Sequence, residues 1–165
     1  MVLPSTRSTI RSLTTTVSAS DPESLRAQID QSLESLHTDA IDLYYLHRVD
    51  PQTPLEKSLG TIAEYREAGR VRAVGISAVD VEEIEAAQRV VPIAAVQNHY
   101  NVAERRDDDV VDYCEENEIV FVPYYPLKGG GPPSLAEIAD SHGATPSQIA
   151  LAWLLGMAAA WLANR

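Results

Sequence analysis

The 165-residue chain is poor in several residue types, and each shortage removes a class of protein. A single cysteine, Cys114, rules out a disulfide framework or a cysteine-rich metal centre. It falls in a helical pattern and reads as a packing residue. The histidines His37, His47, His99 and His142 are scattered with no pair at ligand spacing, so no metal site is expected. Positive charge is also scarce. Lys57 and Lys128 are the only lysines, and the formal net charge is -11. That balance argues against nucleic acid and anionic membranes as partners. No apolar run is long enough to span a bilayer, and no GxGxxG follows the first strand-like run, so a Rossmann fingerprint is missing. At 45% hydrophobic and 22% charged residues, the composition is that of a soluble globular protein with one sizeable core.

Residues 1–20 differ from the rest. They are rich in Ser and Thr, carry Arg7 and Arg11, and hold no acidic residue, no lysine and no tyrosine. Such a composition is compatible with an organelle transit peptide. The β-branched run Thr14-Thr15-Thr16-Val17 suits an amphipathic helix poorly, so the stretch reads as a poorly ordered tail.

From residue 20 onward, strand and helix signals alternate. Ser20-Asp21-Pro22-Glu23 is a helix start, and Leu25, Ile29, Leu33 and Leu36 make one apolar stripe. The run Ile41–Leu46 is apolar enough for a strand buried on both faces of a parallel sheet. Thr53-Pro54 opens a second helix, and Gly69 ends it. Further strands read over 71–76, 93–98 and 119–124, with helices over 79–90 and 104–117 between them. Asp107-Asp108-Asp109 suits the opening of that last helix, where carboxylates oppose the helix dipole. A Gly/Pro loop, Lys128 to Pro133, leads to helices from Ser134 and from Thr145-Pro146. This βα repeat predicts an α/β fold with a parallel sheet and right-handed crossovers. It suits part of a TIM (β/α)8 barrel, with about four parallel strands and outer helices.

In parallel α/β folds, chemistry sits at the C-terminal ends of the strands. Those ends carry His47, Ser77, Gln97 and Tyr124. A histidine polarises a carbonyl, a serine and a glutamine hydrogen-bond a carboxamide, and a tyrosine ring stacks on a flat heterocycle. The set suits a nicotinamide ring in the mouth of a barrel, although polar strand ends are common in any such fold.

The segments Ile41–His47, Gly69–Ser77, Val96–Asn101, Tyr124–Leu127 and Ala144–Leu155 resemble the aldo-keto reductases, in that order and at family-like spacing. The resemblance covers about residues 21–156 and leaves 157–165 as a divergent C-terminal tail. It implies hydride transfer from NADPH to an aldehyde or ketone, a small-molecule carbonyl substrate and a cytoplasmic location. By the same resemblance His47 is the active-site histidine that orients and polarises the carbonyl. Ser77 and Gln97 hold the nicotinamide carboxamide, Tyr124 stacks on the nicotinamide, and Leu127 lies in the loop over the pyrophosphate. The glycines after Lys128 either let backbone amides approach phosphate or serve as a flexible connection.

The chain also departs from the family pattern. Ala78 stands where the family often has Asn. The family's catalytic Asp, Tyr and Lys, and the segment that grips the adenosine phosphate, have no match in these 165 residues, so the sequence reads as cut at both ends. It is therefore expected to be catalytically incomplete alone. The alternative is a non-catalytic half-barrel that acts through a partner chain. Four strands leave open edges, and self-association through them is expected.

Overall fold

A computed structural model of the chain describes residues 12–14, 20–129 and 131–163. In chain order the elements are β1 (Ser12–Thr14), α1 (Pro22–Ser35), β2 (Ile41–Leu46), α2 (Leu55–Glu67), β3 (Val71–Ser77) and α3 (Val81–Gln88). They continue with β4 (Ile93–His99), α4 (Asp108–Glu116), β5 (Val120–Tyr124), α5 (Ser134–Ser141) and α6 (Pro146–Ala163). The four expected strands form within a residue of their predicted bounds. A fifth, β1, lies inside the stretch read as a tail, and the remainder of that stretch is outside the described residues. The helix α6 runs through the segment read as divergent.

The residues group into two compact units, Met1–Ile76 with Glu85–Ile93, and Ser77–Ile84 with Ala94–Arg165. In the first, β1 pairs with β2 and β2 with β3, both parallel. The strand β2 thus has neighbours on both sides, and Ile41, Tyr44, Tyr45 and Leu46 are all buried. The register sets Tyr45 opposite Gly75, where a Cβ would stand 2.6 Å from Tyr45 Cδ1. Glycine is required at that position for close approach, not for its backbone angles.

Local chemistry explains the helix ends in this unit. Asp21 caps α1, its Oδ1 accepting the backbone N–H of Glu23 (3.1 Å) and Ser24 (3.0 Å), with Pro22 at the first helical position. Gly69, at φ +71°, lets the chain turn after α2 into β3. A buried hydroxyl relay ties α2 to the loops: Ser58 Oγ donates to the Ser20 carbonyl at 2.6 Å, and Ser20 Oγ to the Arg48 carbonyl at 3.1 Å. The second bond holds the residue that follows His47.

In the second unit β4 and β5 pair in parallel, with Gln97 opposite Val122 and His99 opposite Tyr124. Cys114 on α4 is buried, as a packing residue should be, and burial pushes its thiol up to about 12. The helix α4 begins four residues later than the sequence predicts. Asn101 is the reason: its Oδ1 accepts the N–H of Ala103 (2.8 Å) and Glu104 (3.0 Å), so the segment after β4 forms a tight turn instead of a helical one. A Thr145–Gln148 capping box opens α6, with Thr145 N–H donating to Gln148 Oε1 at 2.8 Å and Gln148 N–H to Thr145 Oγ1 at 3.3 Å. Among the described residues no helix is long and apolar enough to cross a membrane.

Candidate functional site

Each residue expected at the site lies near the C-terminal end of a strand, Gln97 two residues before the end of β4 and the others at a strand end or beyond it. His47 follows β2 in the first unit. Its side chain is half-buried and makes no hydrogen bond with the described residues. The other four belong to the second unit.

Ser77 and Gln97 meet directly. Ser77, 3% exposed, donates its hydroxyl to the Gln97 main-chain carbonyl at 2.8 Å, and that carbonyl also accepts Ala78 N–H at 3.0 Å. The Ser77 proton is thus committed, which leaves the oxygen as an acceptor. The Gln97 side-chain amide is half-buried and makes no hydrogen bond with the described residues, so it keeps both a donor and an acceptor. A carboxamide needs one acceptor for its NH2 and one donor for its oxygen, and this pair offers both.

The turn after Ser77 is unusual. Ala78 has φ +59°, a left-handed conformation that costs a Cβ-bearing residue about 1–2 kcal/mol and that Asn tolerates better. The buried side chain of Asn98 supports it. Asn98 Oδ1 accepts Val79 N–H (3.2 Å), and Nδ2 donates to the Val79 carbonyl (2.7 Å) and to Asp107 Oδ2 (2.9 Å). The amide therefore continues the sheet's hydrogen bonding beyond the strand. Sequence reasoning missed this role for Asn98, because an amide beside Gln97 carries no signal of what it will face.

Tyr124 sits in a cluster of rings. His99 stacks on it with centroids 5.5 Å apart, and Tyr125 meets it edge-on at 5.1 Å. Tyr125 is itself left-handed, at φ +55°. Its carbonyl is held by Asn101 Nδ2 (2.9 Å) and Lys128 N–H (3.1 Å), and Lys128 Nζ lies 4.5 Å from the centre of its ring. Two strained, non-glycine turns thus stand directly after β3 and β5, the pattern expected where structure is spent on function. Leu127 is exposed and lines a small cleft with Lys128, Gly131 and Ser147 at the N-terminal end of α6.

Tyr100 is not poised as an acid. Its hydroxyl donates to Asp108 Oδ1 at 2.5 Å, and burial, reinforced by that carboxylate, pushes it up to about 12. Asp108 is held below the usual carboxylate range, first by Arg105, whose Nε and Nη2 each reach it at 2.9 Å, and then by Tyr100. The acidic run opens α4 as expected, with Asp107 at the N-cap and Asp108 and Asp109 in the first turn, and it is also tied into side-chain networks, Asp107 on Asn98 and Asp108 on Tyr100 and Arg105.

The aldo/keto reductase family model matches residues 11–134, so the match begins before the segment in which the resemblance is legible and takes in β1. An uncharacterised oxidoreductase of Schizosaccharomyces pombe is 37% identical over 138 residues, covering 81% of this chain and 45% of its own. The crystal structure of a thermostable aldo-keto reductase with the inhibitor epalrestat superposes with a TM-score of 0.75 at 35% identity, over 83% of this chain and 53% of that one. An aldo/keto reductase of Klebsiella pneumoniae, solved with NADP and acetate, superposes with a TM-score of 0.68 at 26% identity, over 81% of this chain and 51% of that one. The chain thus spans about half the length of the relatives it matches. With the family model covering most of its residues, the chain belongs to the aldo/keto reductase family.

Proposed function

We propose that this chain carries the nicotinamide end of an NADP(H) site and the carbonyl-polarising histidine of a reductase. The observation behind the reading is the Ser77–Gln97 pair, whose remaining acceptor and donor match a carboxamide. Ser77 Oγ would accept from the carboxamide nitrogen, the Gln97 amide would donate to its oxygen, and Tyr124 would stack on the ring. Leu127 and the Lys128 loop would lie along the phosphates, where the N-terminal end of α6 favours negative charge. His47 would hydrogen-bond the carbonyl oxygen of an aldehyde or ketone. A bound dinucleotide would supply the hydride.

The same reading makes the 165 residues insufficient alone. A general acid contributes roughly 10²–10⁴-fold in rate. Tyr100 is bonded to Asp108, and no residue here matches the family's Asp, Tyr and Lys. The test is NADPH oxidation with a simple aldehyde, with His47→Ala as control. No turnover at a family-like rate is expected. Substantial turnover that His47→Ala abolishes would show that an acid is present and misassigned.

One further observation favours association with a second copy as a parallel reading. Val120, Phe121 and Pro123 of β5 and Leu151, Leu154 and Leu155 of α6 line an open apolar groove of about 610 Å³, with Leu155 70% exposed. An apolar groove beside an edge strand is an association surface. Sedimentation should show species larger than a monomer, reduced by Leu155→Glu. A compact monomer at high concentration would remove this reading.

A further inference from the structure

The ring cluster at the ends of β4 and β5 contains an arrangement with a definite handedness. His99 covers one face of Tyr124, with planes 15° from parallel and centroids 5.5 Å apart. Asn101, 1% exposed, keys the imidazole in place. Because Asn101 Oδ1 accepts two backbone N–H groups, its amide orientation is fixed and Nδ2 carries the hydrogens. Nδ2 donates to the Tyr125 carbonyl at 2.9 Å and faces His99 Nε2 at 3.4 Å. In a neutral His99 ring, Nε2 would be the nitrogen that accepts from this amide. Tyr125 closes the cluster edge-on, 5.4 Å from His99.

We propose that His99 is a positioning residue for the nicotinamide: it backs one face of Tyr124, so the phenol ring keeps one orientation and offers only its opposite face to a planar ligand. This rests on the reading of Tyr124 as the nicotinamide-stacking residue. A free ring loses rotamer freedom when a ligand stacks on it, whereas a ring already clamped does not. An aromatic pair of this kind corresponds to roughly 3- to 10-fold in binding.

The experiment uses the full chain and one probe, reduced nicotinamide mononucleotide, which carries the ring end of the cofactor. His99→Ala should weaken the mononucleotide about 3- to 10-fold. His99→Phe, which restores a flat plate without the nitrogens, should return binding to within about 2-fold. In the free protein, the His99 ring protons should show an upfield ring-current shift that Tyr124→Ala abolishes. If Tyr124→Ala loses mononucleotide binding while His99→Ala does not, or if His99→Phe fails to rescue, the positioning role is overturned and the nicotinamide reading stands. Mononucleotide binding that is absent in the wild type, or unaffected by Tyr124→Ala, overturns the nicotinamide reading and the inference with it. Lack of the ring-current shift overturns the stack itself.

Discussion

The strands β2 and β5 look alike as text and differ as structure. Both are short apolar runs with a candidate residue at or just after the end, yet β2 has a parallel partner on each side and β5 is an edge strand. In β2, Ile41 is fully buried and Tyr44 is 1% exposed, whereas in β5 Val120 is 44% exposed. An apolar run announces a strand because β-branched and aromatic side chains fit a pleated surface. It does not announce how many neighbours the strand will have.

That contrast can be tested by mutation. Ile41→Ala should cost about 2–5 kcal/mol in denaturant unfolding, the range for emptying a fully buried site, while Val120→Ala should stay within about 0.5 kcal/mol. Equal losses would mean that β5 is as enclosed as β2. Gly75→Ala is the next largest effect. Its methyl would meet the Tyr45 ring within β2's own packing, at about 1–3 kcal/mol, and Tyr45→Leu in the same chain should recover part of the loss. A methyl tolerated at no cost would show that β2 and β3 are looser than the register implies.

In the second unit the corresponding probe is pH. Tyr100 titrates in the unfolded chain near its ordinary value of 10.0 and in the folded one at about 12. The unfolded state therefore loses its proton first. The stability Tyr100 contributes is complete below pH 10 and is lost as pH rises toward 12. Tyr100→Phe should flatten that part of the stability–pH curve, and an unchanged alkaline slope would show that the Tyr100 hydroxyl is not held buried against Asp108 in solution. A stabilising effect is expected at Ala78. Ala78→Gly should stabilise by up to about 1.5 kcal/mol, because glycine relieves about 1–2 kcal/mol of strain at φ +59° while its extra freedom in the unfolded chain takes back about 0.4–1 kcal/mol. Destabilisation there would mean that the left-handed turn after β3 is not populated.

The sequence by itself determined the order of strands and helices, the strand ends where the candidate residues stand, and the family. Those signals are local: a period of 2 or 3.6, a capping side chain, or a run of residues matched to a family pattern. It did not disclose the strand Ser12–Thr14, because a Ser/Thr-rich segment of three strand residues has no periodicity to read. Nor could it disclose the chemistry of contacts that join residues far apart in the chain. That the Ser77 hydroxyl is committed to the Gln97 carbonyl, that Asn98 pairs with Val79, and that His99 lies on Tyr124 depend on register between strands. A slip of one residue would turn every one of those side chains to the opposite face. Tertiary structure decided them because a hydrogen bond or a ring stack is fixed by distances of a few ångströms, and only the paired strands bring those groups within reach.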